Sequence, residues 1–142
     1  MSEDHSFFLH AIVKGGIMRF YLNTRDGFGK ESPWPYEDLR AAAFMRVAYS
    51  FFRSQGQRID VCHGQWYQGS LNNAQYIANL IAGMSRAKAA QNTWSGRQFT
   101  KLGFPGVMED LIVSKFDLED QFISAPFFLD LNKAKQYRDY FL

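Results

Sequence analysis

The chain contains one cysteine, Cys62, among 142 residues. A single thiol closes no internal disulfide and builds no thiolate zinc site. The three histidines, His5, His10 and His63, stand at no i,i+4 spacing and open no tight ligand motif, so no metal site is expected. Long apolar runs are also missing. Phe7 to Val13 and Ser124 to Leu129 fall far short of the roughly 20 residues that cross a bilayer, which excludes a membrane-spanning helix. The acidic start Met1-Ser2-Glu3-Asp4 is unlike a secretory signal, and a cytoplasmic protein is expected. No phosphate loop is present: Gly64-Gln65-Trp66-Tyr67-Gln68-Gly69 lacks the lysine and hydroxyl that such a loop requires. No Gly-x-Ser-x-Gly elbow occurs either, and no cofactor is implied.

The most informative absence is acidic. Residues 61–108 carry no Asp or Glu, yet they include Arg86, Lys88, Arg97 and Lys101. From Glu109 onward seven acids stand against four cations, so a net charge of only +2 conceals a segregated distribution. Such segregation either creates a steering field or is neutralised by pairing between the two segments. The acid-free block is rich in groups that stack on bases or hydrogen-bond to them: Trp66, Tyr67 and Trp94, with Asn72, Gln75 and Asn79.

Hydrophobic residues at 46% are enough for a real core, and the length fits a single domain over 1–142. Phe7 to Val13 and Ile17 to Asn23, joined by Lys14-Gly15-Gly16, predict a β-hairpin. Its strands are apolar on both faces, which suggests a place inside a larger sheet. Thr24 to Pro35 has loop composition and is a candidate mobile segment. Pro35 before Tyr36-Glu37-Asp38 signals a helix start. That helix should run to about Ser54, with Leu39, Ala43, Val47 and Phe51 facing the core. Arg40 lies near the centre of this stripe and must pair, snorkel or meet a ligand anion.

A short strand is expected within Arg58 to Tyr67. A second long helix follows from Leu71 to about Gln91, capped by Ser70, with Asn72, Gln75, Asn79 and Arg86 forming a polar ridge. Asn92 or Ser95 then caps a short helical turn whose Ser95-Gly96-Arg97 start has the chemistry of an anion site. Leu111 to Phe116 and Gln121 to Phe128 predict a second hairpin, and Asp130 caps a last helix, Leu131 to Phe141. The fold class is therefore α+β: one mainly antiparallel sheet built from two hairpins and a central strand. Two longer helices pack on one face, and a short C-terminal helix closes an end.

Three functional readings follow. The first is a small non-enzymatic binder of nucleic acid or a nucleotide-like anion. Arg86, Arg97, Lys101 and Arg40 would meet phosphate, while Trp66, Tyr67 and Trp94 would stack. The second is a protein-binding inhibitor, of the kind seen in toxin-neutralising partners and phage-encoded antagonists of host defence enzymes. It would dock through the acidic turn containing Asp117, Glu119 and Asp120. The third is an enzyme whose pocket joins Arg40 to His10 or His63. The aromatic surplus of 17% also makes a homodimer an expected partner arrangement.

Overall fold

The computed structural model describes residues 8–23, 36–118 and 120–142. The loop expected over Thr24 to Pro35, and Glu119, lie outside the described residues. The class is α+β. Strand β1 (Phe8–Lys14) and strand β2 (Ile17–Asn23) form the first hairpin, and helix α1 (Tyr36–Ser54) leads to strand β3 (Val61–Tyr67). Helices α2 (Leu71–Ile81), α3 (Arg86–Gln91) and α4 (Trp94–Lys101) follow. Strands β4 (Val113–Asp117) and β5 (Asp120–Phe128) make the second hairpin, and α5 (Ala134–Phe141) ends the chain. The sheet order is β1-β2-β3-β5-β4, antiparallel except where β2 meets β3 through the α1 crossover.

Strand alternation divides the apolar residues between two cores. On one face Met18, Cys62, Trp66, Ala125 and Phe127 pack against Met45 of α1, Tyr76 of α2, Ala89 and Ala90 of α3 and Phe99 of α4. On the other, Ile17, Val61 and Phe128 are covered by Leu111, Ala134, Tyr137 and Phe141. The last helix therefore covers the opposite face instead of closing an end. It also covers only part of that face, and His10, Tyr21, Gln65 and Tyr67 remain exposed or half-exposed beyond it.

Several boundaries and faces differ from the sequence reading for local reasons. β1 is an edge strand, not an interior one, and His10 is exposed on it. In α1 the core side is Ala41, Met45 and Ala48, with Tyr49 and Phe52 packed beside them; Val47 is 67% exposed and Phe51 also faces outward. The expected second helix stops at Ile81. Ser85 caps a separate α3, its hydroxyl accepting the Lys88 N–H at 3.2 Å. Thr93, not Asn92 or Ser95, caps α4: its hydroxyl accepts the Gly96 N–H at 2.9 Å.

Candidate functional site

The site begins with an interrupted strand pair. β3 and β5 hold register over seven residue pairs, from Val61↔Phe128 to Tyr67↔Phe122, but β2 and β3 hold it over only Ile17↔Val61 and Met18↔Cys62. Beyond Met18 the two parallel strands separate, and the sheet opens between Phe20-Tyr21 and Gly64-Tyr67. Ligands of parallel α/β strands occupy this kind of position, beyond the carboxyl ends of the paired strands.

Each side of the opening has a hollow. On the helical side a cavity of about 240 Å³ is lined by Phe20, Met45, Trp66 and Phe99, with Ser70 and Ser95 among its polar residues. On the α5 side a hollow of about 130 Å³ is lined by Arg19, Lys115, Phe122, Ser124 and Tyr140. His63 and Gln65 line both, and among the described residues neither lining contains a carboxylate.

His63 is the buried hinge of this arrangement. Its Nδ1 accepts the Arg19 Nε–H at 3.0 Å, so the ring proton sits on Nε2, which lies 2.8 Å from the Ser124 hydroxyl and donates to it. Burial pushes the imidazole pKa down to about 3, and the Arg19 and Lys115 charges push the same way. The ring is neutral and in the tautomer that cannot take a proton from Ser124, so the pair has no activated nucleophile. The Arg19 guanidinium also donates to the Tyr140 hydroxyl and lies over that ring, 5.6 Å from its centroid. Among the described residues neither Arg19 nor Lys115 has a carboxylate in ion-pair contact.

The residues singled out by the sequence are distributed differently. Trp66 is buried in the helical core, and Trp94 is half-buried beside it. Tyr67 is half-buried on the α5 side, its ring tilted 34° to that of Phe122 with centroids 5.0 Å apart, and its hydroxyl donates to Asp117 at 3.3 Å. Arg86 donates to the Ile112 carbonyl at 3.1 Å and lies 3.8 Å from Glu109, so pairing between the basic block and the acidic segment uses it. Arg97 and Lys101 stand exposed one turn apart on α4. The backbone of Arg40 lies in α1, but its side chain lies outside the described residues, and with it the proposed pocket shared with His10 or His63. Asp117 and Asp120 are exposed at the β4–β5 turn.

The amide ridge is committed to its neighbours. Gln75 Oε1 accepts the Trp94 N–H at 2.6 Å, and Asn72 Oδ1 accepts the Ser95 N–H at 2.8 Å. Asn79 donates to the carbonyls of Ala89 and Asn92, at 3.0 and 3.2 Å. With Thr93 taking the Gly96 and Arg97 N–H groups, the start of α4 has all four of its first donors satisfied within the protein. The Ser95-Gly96-Arg97 segment therefore offers no free backbone N–H to an anion.

Arg19, Lys115 and Ser124 are not among the residues that the sequence singles out, and His63 is there only as a partner of Arg40 in an enzyme pocket. The available signal was a lone cation inside an apolar strand, Ile17-Met18-Arg19-Phe20 and again Val113-Ser114-Lys115-Phe116. Among the described residues no cluster of three or more His, Cys, Asp or Glu suited to a metal occurs, and burial pushes the Cys62 thiol well above its ordinary pKa. Comparison with protein-family models, curated proteins and solved structures finds no match for this chain.

Proposed function

We propose that the protein is a small binding protein, not an enzyme, and that it takes a nucleotide-sized anion where β2 and β3 part. The observation that carries this reading is the basic hollow of Arg19 and Lys115, with no carboxylate among its described lining residues, set back to back with an aromatic cavity, the two sharing His63 and Gln65. Two cations without a described acidic partner attract phosphate, and the guanidinium is held in place by His63 and Tyr140 before any ligand arrives. The neutral, proton-donating His63 supports binding over catalysis, because it supplies no general base. A compact ligand suits the site better than an extended strand: on the same face the β4–β5 turn ends in Asp117 and Asp120, which repel a continuing phosphate backbone.

Calorimetric titration with a nucleoside monophosphate, a cyclic dinucleotide and a short single-stranded DNA, each at low and high salt, tests the reading. Mononucleotide binding that weakens with salt and is lost in Lys115→Glu and Arg19→Gln is the expected result. Absence of nucleotide binding, or binding indifferent to both substitutions, overturns it.

One observation favours a second reading, the protein-binding inhibitor. Leu118 is 97% exposed between Asp117 and Asp120, with exposed Phe116 beside it, an apolar knob in an acidic rim. That combination fits a basic groove on a partner protein. Replacing Asp117 and Asp120 by Lys should slow association with such a partner, and an unchanged association rate would remove the turn from the interface.

A further inference from the structure

Two buried residues that line the helical-side cavity carry a polar side-chain group without a hydrogen-bond partner among the described residues. Trp66 is 4% exposed and Ser95 6% exposed, and both line the cavity. The Ser95 backbone N–H is held by Asn72, but among the described residues neither its hydroxyl nor the Trp66 indole N–H makes a hydrogen bond. Native proteins rarely leave such groups unmatched, so both ask for a partner inside the cavity. The indole position is set by the backbone: a Cβ at Gly64 would lie 2.8 Å from the Trp66 Nε1, so only a bare α-carbon lets the ring lie there.

The character of the missing partner follows from the donors. An indole N–H only donates, and a hydroxyl beside it can do the same, so the complementary group is an edge carrying acceptors. Part of the wall is flat and apolar: Phe20 and Phe99 stack with centroids 6.3 Å apart and a 24° angle. At about 240 Å³ the cavity exceeds the roughly 150 Å³ that accommodates a benzene ring, yet it falls below the roughly 300 Å³ typical of a site enclosing a whole drug-sized ligand. It therefore has room for one planar heteroaromatic group, with the rest of the ligand outside.

Building on the nucleotide reading above, we propose that this cavity is a nucleobase subsite. The base enters between Phe20 and Trp66 with its acceptor edge toward the Trp66 indole N–H and the Ser95 hydroxyl. His63 and Gln65 border both hollows, which places the base on one side of the sheet opening and the phosphate at Arg19 and Lys115 on the other.

The test compares a nucleoside monophosphate with ribose 5-phosphate on the wild-type chain, on Trp66→Phe, which keeps an aromatic ring and removes the N–H, and on Ser95→Ala. The mononucleotide should bind at least about tenfold tighter than ribose 5-phosphate. Each substitution should weaken the mononucleotide by about tenfold and leave ribose 5-phosphate unchanged. A parallel measurement needs no substitution: the Trp66 indole N–H resonance should shift on adding the unphosphorylated nucleoside. If ribose 5-phosphate binds as tightly as the mononucleotide, or the indole resonance stays fixed while nucleotide binds, the base subsite is wrong and the phosphate reading survives. If neither compound binds, both fail together.

Discussion

The Tyr137 hydroxyl donates a 2.6 Å hydrogen bond to Oδ2 of Asp60, joining α5 to the entry of β3 across 77 residues of sequence. Asp60 is 4% exposed, and exposed Arg58 reaches the same oxygen at 3.1 Å. Burial and the neighbouring carboxylate both raise the Tyr137 pKa, which keeps the phenol protonated as a donor. Gly16 completes the arrangement, since a Cβ there would collide with the Tyr137 hydroxyl and its φ is +81°. Tyr137→Phe should cost about 1–3 kcal/mol in urea unfolding, because it takes a donor from a buried carboxylate. Gly16→Ala should cost at least as much. The double variant should lose less than the sum, because removing the hydroxyl relieves the collision. Strict additivity would show that the two positions do not meet.

The amide contacts at the start of α4 lead to a second expectation. Asn72→Ala and Gln75→Ala each strip an acceptor from a helix N-terminus, the role usually given to a capping side chain, and each should cost about 0.5–2 kcal/mol. Hydrogen exchange locates the effect: the Ser95 amide should lose protection in Asn72→Ala and the Trp94 amide in Gln75→Ala. If both amides keep wild-type protection, the side chains do not cap α4.

These amides also mark how far the sequence could be read. Their spacing placed them on one helical face, but a row of Asn and Gln free of acids has the same composition whether it meets bases or the end of a neighbouring helix. Only the packing of α2 against α3 and α4 decides between them. Helix α1 shows a similar ambiguity. Apolar residues surround much of it, so both the Leu39–Ala43–Val47–Phe51 stripe and the Ala41–Met45–Ala48 stripe satisfy a 3.6-residue period; the fold buries the second and leaves Val47 and Phe51 exposed, while the Leu39 side chain lies outside the described residues. The two hairpins were legible because a Gly-Gly tip and an acidic turn separate runs of strand-forming residues. The opening between β2 and β3 was not, since nothing local to either strand records where a non-local parallel pairing ends.

His63 fixes the sign of an acid transition. Its folded pKa of about 3 lies below the ordinary imidazole value near 6.5, so between those limits the unfolded chain binds a proton that the folded chain refuses. Stability therefore falls as pH drops from about 6.5 toward 3, with this residue contributing up to about 1.4 kcal/mol per pH unit. Glu109 and Asp110 have lowered pKa values, the first mainly through the Ala87 N–H and the second through Arg138, and they add to the acid loss. They remain in a His63→Gln variant, so the difference between the two pH profiles isolates the imidazole. The variant should be less stable at neutral pH and shallower by nearly one proton through this window. Parallel profiles would mean that His63 is not held neutral.

Leu118 is the one non-glycine residue with positive φ among the described residues, at +57°, and it is 97% exposed at the β4–β5 turn. A branched side chain in the left-handed region costs about 1–2 kcal/mol, and almost no burial offsets it here. Leu118→Gly removes that strain but enlarges the freedom of the unfolded chain, and Leu118→Asn tolerates the conformation with less entropy to lose. Both should stabilise the isolated protein, Asn by about 0.5–1 kcal/mol and Gly by less, measured as the urea midpoint at constant m-value. Loss of stability in both would show that the side chain packs against the hairpin. A gain, with association to a basic protein partner weakened by the same substitutions, would assign the strained leucine to the interface of the inhibitor reading.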